Sequence, residues 1–319
     1  MNVMLGLESQ INTLGHLQPM RISGRVSALR GLTLLVQDLP MPVGSLVAVI
    51  RGGVRSTVAA AAPERLDGRT EGLGEIVGFD GPSAIVMMLS GTSGIRSGDR
   101  VIGLHATQTI GVSTAMLGRV VNGLGQPIDG RGPIHGPWPR PVDPEPMSPL
   151  SRSRIGEPMH TGVRAIDLFT TLGRGQRMGV FAGPGVGKST LLGAIARGAS
   201  ADVSVVALIG ERGREVRDFI EHNLGADGMR RCVVVAATSD ESPLLRVRAA
   251  LAACSIAEHF RDLGKAVMLI MDSVTRFAHA QRQIGLSATC QGGCYVDVND
   301  FVGKTRCREN AGEQFEPSG

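Results

Sequence analysis

Aromatic side chains are scarce in this 319-residue sequence, since Phe, Trp and Tyr together make up 3% of it. Before residue 130 the only one is Phe79. Proteins that bind single-stranded nucleic acid stack the bases on aromatic side chains, and the first third of this chain offers almost none. The net charge is only +4, and there is no run of five or more like charges. The composition therefore gives no support to a nucleic-acid-binding protein.

Cysteine is also infrequent, and the five cysteines are irregularly spaced. An odd number with this spacing is not typical of a secreted domain held together by disulfides. No Lys or Arg precedes Arg21, so the start of the chain lacks the charged region of a secretory signal. No apolar run approaches the roughly 20 residues that span a bilayer. We therefore expect a cytoplasmic protein.

Short β-rich runs separated by turn residues fill the segment 20–110. They are Arg21–Val26, Leu32–Val36, Leu46–Ile50, Leu73–Val77, Ala84–Met88 and Arg100–Gly103. Several short strands at this spacing predict a small all-β barrel or sandwich. Before them, residues 1–19 carry spaced apolar positions typical of a short amphipathic helix. We interpret this segment as a docking helix for a partner, with a partly ordered terminus as the alternative.

Prolines crowd the stretch 111–160, with eight of them between Pro133 and Pro158. Such density disfavours helices and predicts an extended linker between two domains. From 161 to 287 apolar strands alternate with helices. The predicted strands are Met178–Ala182, Val203–Ile209, Cys232–Ala236 and Ala266–Met271, and the predicted helices are Lys188–Arg197, Glu215–Asn223, Pro243–Leu263 and Val274–Ile284. Apolar strands joined by helices indicate an α/β domain with a mostly parallel sheet.

The segment Gly179–Thr190 carries the strongest functional pattern, because an apolar run leads into a glycine-rich loop and a helix begins at Lys188. Glycines let successive backbone N–H groups turn toward a phosphate chain, and the helix N-terminus attracts its negative charge. In such a loop the lysine reaches the β- and γ-phosphates and the next hydroxyl ligates Mg²⁺. We therefore predict that ATP and Mg²⁺ bind here, with Ser189 as a metal ligand. The predicted binding residues are Gly183, Pro184, Gly185, Val186, Gly187, Lys188, Ser189 and Thr190.

One position departs from the strict phosphate-loop pattern. Ala182 stands where the pattern has its first glycine. Alanine is small, but it is poorly suited to a backbone with positive φ. The pattern is otherwise complete.

The apolar run Ala266–Met271 ends in a carboxylate, Asp272. In phosphate-loop proteins an aspartate at the end of a strand holds Mg²⁺. A strand also commonly ends in an aspartate that caps the following helix, and the next residues here permit that reading. Together with the loop, the pattern favours Asp272 as the metal-side carboxylate.

A charged cluster follows the predicted strand Val203–Ile209. Strand ends in a parallel sheet converge on the ligand crevice, where a carboxylate can polarise an attacking water. Glu211 precedes the next helix and is the better candidate for this role, whereas Glu215 suits the first turn of that helix. Arg212 would contact the γ-phosphate or a neighbouring subunit, with an ion pair to Glu215 or Asp218 as the alternative.

Several segments, in order along the chain, resemble the bacterial type III protein export ATPases, and the flagellar members in particular. They are Gly118-Arg-Val-Val-Asn-Gly-Leu-Gly-Gln-Pro-Ile-Asp129, Thr161-Gly-Val-Arg-Ala-Ile-Asp167, Gly183-Pro-Gly-Val-Gly-Lys-Ser-Thr190, Ala207-Leu-Ile-Gly-Glu-Arg-Gly-Arg-Glu-Val216, Ala237-Thr-Ser-Asp240 and Met271-Asp-Ser-Val-Thr-Arg-Phe-Ala278. The resemblance extends over about residues 20 to 287. This family is related to the catalytic subunits of rotary ATP synthases.

The resemblance implies an N-terminal β-barrel, a RecA-like P-loop NTPase core, a C-terminal helical domain and a homo-hexameric ring. It implies that Lys188 and Ser189 serve the phosphates and Mg²⁺. It also implies that Glu211 is the catalytic glutamate, Arg212 its neighbouring phosphate-site arginine and Asp272 the Mg²⁺-side aspartate. The implied activity is ATP hydrolysis that drives protein export. Implied partners are a stator-like regulator, a central stalk protein and chaperone–substrate complexes, with membrane contact only through the export gate.

After Leu286 the sequence departs from this family. The tail 288–319 holds three of the five cysteines and the only tyrosine, and it shows no helical period or apolar core pattern. We interpret it as the product of a truncation or frameshift, with a divergent native tail as the alternative. An arginine finger can contribute about 10³–10⁵ in rate, and the sequence offers no candidate for one. We therefore expect this chain alone to bind MgATP weakly and to hydrolyse it poorly.

Three other functions stay open at this point. An injectisome ATPase of virulence secretion has a similar sequence pattern. An RNA-dependent hexameric helicase has a similar core, although the lack of aromatic residues before residue 130 argues against it. A non-catalytic nucleotide-binding protein would not need Lys188, Glu211 and Asp272 together.

Overall fold

The computed structural model describes residues 22–50, 70–106, 108–142, 154–183 and 185–288. The chain divides into two compact units, Met1–Gln108 and Thr109–Gly319. The docking helix predicted at 1–19 and the tail from residue 289 onward lie outside the described residues. Within the part of the chain that is described, no helix is long and apolar enough to cross a membrane.

The first unit contains a closed six-stranded barrel, which confirms the barrel interpretation of its sequence. Its strands are β1 (Ser23–Arg30), β2 (Thr33–Gln37), β3 (Leu46–Ile50), β4 (Thr70–Asp80), β5 (Ser83–Met88) and β6 (Arg100–His105). They pair antiparallel in the order β1-β2-β5-β4-β3-β6. Closing the sheet in this way removes the free edges that an open sheet would expose.

Buried aliphatic side chains fill the barrel. The largest fully buried ones include Leu34, Val36, Val47, Val49 and Ile76. Two-residue turns join β1 to β2 and β4 to β5, and each contains a glycine with positive φ, 58° at Gly31 and 57° at Gly81. Tight hairpins need such left-handed residues, which explains glycine at both positions.

The second unit contains the remaining elements. Its strands are β7 (Thr109–Val112), β8 (Val120–Val121), β9 (Trp138–Pro141), β10 (Pro158–Met159), β11 (Leu172–Gly173), β12 (Val203–Glu211), β13 (Cys232–Thr238) and β14 (Val267–Asp272). Its α-helices are α1 (Arg164–Phe169), α2 (Lys188–Gly198), α3 (Gly213–Asp218), α4 (Gly225–Met229), α5 (Pro243–Asp262) and α6 (Val274–Ala288). The described residues of this unit also form a 3₁₀ turn (Thr114–Met116) and a π-helix (Phe219–Leu224).

A four-stranded parallel sheet in the order β14-β12-β13-β8 organises this unit, as the apolar strands predicted. Side chains on both faces of β12 and β13 are buried, because helices cover both faces of such a sheet. In the register of the sheet, Leu208 lies beside Asp272 and Glu211 lies beside Thr238. The carboxyl ends of β12, β13 and β14 therefore share one edge, where ligands bind in sheets of this kind.

The described part of the proline-rich stretch 111–160 differs from the extended linker that its composition predicted. Strand β8 joins the main sheet beside β13, and β7 pairs with β9. Arg140 forms ion pairs with Glu258 at 3.2 Å and Asp262 at 2.8 Å on α5. Prolines are tolerated in β9 because its sheet has only two strands and each has a free edge. The described part of this stretch is therefore an integral part of the second unit.

The prediction of a strand at Met178–Ala182 is wrong, since the structure has no strand there. An apolar run forms a strand only where another strand pairs with it, and sequence does not show that partner. The side chain of Phe181 is 96% exposed.

The helix predicted at Glu215–Asn223 is divided between α3 and the π-helix, and α4 follows from Gly225. The wider π-turn brings residues five apart closer to one face, so that Phe219 and Leu224 are both buried. The positive φ of 65° at Gly225 marks the end of the π-helix.

A close backbone contact holds the carboxyl end of α2, the helix that follows the glycine-rich loop. Gly162 has a φ of 78°, and a Cβ atom there would lie 2.7 Å from Cα of Gly198. We predict that Gly162→Ala lowers the free energy of unfolding through backbone strain of about 1–2 kcal/mol and overpacking of about 1–3 kcal/mol. Urea denaturation of the chain measures this loss.

Gly175→Ala is the matched control. Gly175 has a φ of 83°, but a Cβ atom there would have no neighbour within 4 Å. This variant should show the backbone strain alone. Equal losses of stability in the two variants would contradict the close-contact interpretation.

Candidate nucleotide-binding site

The glycine-rich loop ends where α2 begins at Lys188. Gly185 and Gly187 have φ values of 79° and 93°, which residues other than glycine rarely adopt. Among the described residues Asp38 is the single non-glycine with positive φ. Ala182 therefore occupies an ordinary backbone conformation, and its replacement of glycine causes no strain. Pro184 lies outside the described residues.

Open space lies beside this loop. A Cβ atom added to Gly183, Gly185 or Gly187 would have no neighbour within 4 Å. Helix α2 has 11 residues, and its first turn contains no acidic side chain and receives no side-chain cap. Its leading N–H groups are therefore open to an external acceptor, and the positive end of the helix favours an anion.

Lys188 and Asp272 connect the loop to the sheet. The Nζ atom of Lys188 contacts Oδ1 of Asp272 in an ion pair. Asp272 is 3% exposed, and a buried carboxylate of this kind requires a cation or hydrogen-bond donors beside it. The ion pair brings together two residues that are 84 positions apart and that the sequence assigned to one site.

Glu211 lies on the neighbouring strand, at the same edge of the sheet as Asp272. Its carboxylate oxygen Oε2 lies 2.5 Å from Nη1 of Arg276 in α6. Burial raises the pKa of the Glu211 carboxyl, and a hydrogen bond shared with Glu215 raises it further, whereas Arg276 lowers it. A carboxylate with a raised pKa is a better proton acceptor near neutral pH than an exposed one.

Arg212 pairs with Glu215 at the edge of this group of residues. Its Nη1 lies 3.5 Å from Oε1 of Glu215, and its side chain is 66% exposed. The backbone N–H of Arg212 also donates to Glu215, which occupies the first turn of α3. Of the two possible ion-pair partners, Glu215 and Asp218, the described residues show Glu215 paired with Arg212.

Ser189 and Thr190 lie exposed in the first turn of α2, beside Lys188. Arg276 lies in the segment Met271–Ala278, but the sequence alone predicts no role for it. Its place in the first turn of the helix that follows Asp272 is the signal that could have placed it near the site, because the segments after the carboxyl ends of parallel strands line the ligand crevice.

Family models of the ATP synthase alpha/beta family match both units of the chain. The model of the β-barrel domain matches residues 31–105, and that of the nucleotide-binding domain matches residues 162–291. The chain is 46% identical over 271 residues to the flagellum-specific ATP synthase of Treponema pallidum. The aligned segment covers 85% of this chain and 58% of the relative. It is 53% identical over 214 residues to the type 3 secretion system ATPase of Xanthomonas euvesicatoria. That aligned segment covers 67% of this chain and 48% of the relative.

Solved structures give the same result. The assembled ATPase EscN, in complex with its central stalk EscO from the enteropathogenic E. coli type III secretion system, matches with a TM-score of 0.72 and 39% identity. That match covers 83% of this chain and 61% of EscN, so the chain spans little more than half the length of the relatives it matches. The chain belongs to the ATP synthase alpha/beta family, as its resemblance to the flagellar type III export ATPases predicted.

Proposed function

We propose that this chain binds MgATP at the glycine-rich loop and that hydrolysis of the ATP drives flagellar type III protein export. The observation that carries the proposal is the meeting of an uncapped helix N-terminus, Lys188 and the buried Asp272 at the carboxyl edge of a parallel sheet. These are the groups that phosphate-loop NTPases use to hold a nucleotide and its metal.

The residues Gly183–Thr190 would bind the phosphate chain. The positive φ angles at Gly185 and Gly187 turn the backbone so that N–H groups can face one ligand. Lys188 would pair with the β- and γ-phosphates after leaving Asp272. The open space beside the loop is compatible with a ligand against the backbone.

Asp272 and Ser189 would hold Mg²⁺. In the described part of the chain no group of three or more His, Cys, Asp or Glu side chains is arranged to hold a metal ion by itself. Mg²⁺ commonly takes only one or two protein ligands and completes its shell with water and substrate phosphates, so this sparse set of donors fits it. When bound, the ion neutralises the charge that develops on the phosphates.

Glu211 would accept a proton from the attacking water. It is 14% exposed on its side chain and lies one strand away from Asp272. Its raised pKa brings it toward the pH at which a general base is effective. Arg212 would act on the γ-phosphate or on a neighbouring subunit only after its exposed ion pair with Glu215 opens, which costs little at the surface.

The cellular role in this proposal follows the relatives. EscN is an assembled ATPase with a central stalk, and by similarity we propose a homo-hexamer that binds a stalk protein in the cytoplasm. A stator-like regulator and chaperone–substrate complexes belong to the same proposal. The similarity to a type 3 secretion system ATPase favours an injectisome ATPase as the second candidate. Restoration of motility in a flagellar-ATPase deletion strain by the gene, but not of virulence secretion in the corresponding mutant, would select the flagellar role.

Loss of the loop lysine tests nucleotide binding. We predict that Lys188→Ala weakens MgATP binding by about 10- to 100-fold, because hydrogen bonds to charged groups contribute about 1.5–3 kcal/mol. Titration with a fluorescent ATP analogue measures the affinity. Lys265→Ala is the control, because Lys265 is exposed and lies before β14 rather than at the loop.

Lys188→Ala also leaves Asp272 without its lysine, so thermal unfolding must show that the variant is folded at the titration temperature. Ser189→Ala gives a second, milder test, since it should reduce the affinity for MgATP more than that for ATP in EDTA. Unchanged affinity in folded Lys188→Ala would contradict the proposed site.

Glu211→Gln separates binding from chemistry. The amide has nearly the same shape but accepts a proton poorly, so we predict that hydrolysis falls by about 10²- to 10⁴-fold, while MgATP affinity changes by less than about threefold. Single-turnover hydrolysis of labelled ATP measures the rate even where turnover is slow. Hydrolysis at the unmodified rate would exclude Glu211 as the base.

A further inference from the structure

We propose that Arg276 is a positioning residue that holds the Glu211 carboxylate at a fixed distance from Asp272, an inference that rests on the proposed function. Arg276 is not among the phosphate- and metal-binding residues predicted from the sequence. Its role follows from two contacts made by one guanidinium and from the place of Arg276 on α6.

The two contacts join the side chain and the backbone of neighbouring residues. Nη1 of Arg276 lies 2.5 Å from Oε2 of Glu211 and also donates to the carbonyl oxygen of Gly210 at 2.7 Å. One group therefore fixes both the carboxylate and the peptide from which it extends. A planar guanidinium with several donors is suited to such a double contact.

Gly210 has the conformation and the space that this contact requires. Its φ is 69°, and a Cβ atom there would lie 3.0 Å from Cδ and 3.2 Å from Cβ of Arg276. Any other residue would thus be strained and would press against the arginine. Arg246 of α5 flanks the same glycine, but its Nη2 donates to Gln283 at 3.0 Å. This hydrogen bond is directed to α6 rather than to Glu211.

Arg276 and Asp272 are parts of one continuous segment. Asp272 ends β14, and Arg276 follows four residues later in the first turn of α6. The N–H of Arg276 donates to the carbonyl of Ser273 at 3.1 Å, which closes that turn. Glu211 ends β12, which pairs directly with β14. The arginine therefore ties the proposed base to the segment that carries the proposed metal-side carboxylate.

The charges around Glu211 make this contact necessary. Glu215 on α3 shares a hydrogen bond with it, and Asp272 on β14 repels it, so both raise its pKa, as burial does. Arg276 on α6 acts in the opposite sense through a hydrogen bond and its charge. Without Arg276 the carboxylate would face two like charges and would turn away or take up a proton.

A double-mutant cycle tests the contact without nucleotide. The variants are Arg276→Gln, Glu211→Gln and the double variant, with Arg282→Gln as an exposed control on the same helix. Arg276→Gln should raise the equilibrium constant of unfolding by about tenfold in the chain with Glu211. In the chain that already carries Glu211→Gln the increase should be much smaller. The difference should shrink as the pH falls through the folded pKa of Glu211, which lies above its ordinary value, because protonation removes the charge that Arg276 stabilises. Additive losses in the cycle would overturn the proposal.

Nucleotide experiments separate this inference from the proposed function. Arg276→Gln should slow single-turnover hydrolysis by at least about tenfold and leave MgATP affinity within about threefold, since it acts through Glu211. Arg276→Lys, which retains the charge and can reach one of the two acceptors, should recover part of the rate. A loss of affinity as large as the loss of rate would overturn a positioning role. Failure of the unmodified chain to bind MgATP would instead refute the proposed function, while the coupling between Arg276 and Glu211 would still be measurable.

Discussion

The ion pair between Lys188 and the buried Asp272 is the constraint on which the arrangement of the site depends. A carboxylate that is 3% exposed is costly unless a charge or hydrogen-bond donors face it. The pair meets this requirement only if α2 begins where β14 ends. The parallel pairing of β14 with β12 fixes where β14 ends. The contact between Gly162 and Gly198 helps to fix the position of α2, because it holds the carboxyl end of that helix.

Much of this fold could be predicted because its signals are local. Turn glycines such as Gly31 and Gly81 separate the barrel strands, and buried strands such as β12 are apolar on both faces. The failures share a different cause. Whether Met178–Ala182 forms a strand, and whether the proline-rich stretch packs, depends on partners that are distant in sequence. The π-helix likewise depends on tertiary packing, since it buries both Phe219 and Leu224.

The site shows the same division between local and distant information. The loop glycines and the strand-ending Asp272 were predicted from the sequence pattern, and the structure places Lys188 against Asp272. The environment of Arg276 could not be found in this way, because it requires the positive φ of Gly210 and the register of two strands. For Arg212 the sequence left two possibilities, a phosphate or subunit contact and an ion pair, and the structure shows the ion pair with Glu215.

The two ion pairs at the carboxyl edge of the sheet have different consequences for a ligand. The Lys188–Asp272 pair lies beside the open space at the loop, so a phosphate and a cation can take over its two halves while the charges stay balanced. The Arg276–Glu211 pair is also held by the carbonyl of Gly210, so exchanging it would break a second contact. One pair is therefore suited to open for nucleotide and the other to persist. A site built in this way can admit a highly charged substrate without releasing the carboxylate that must act on it.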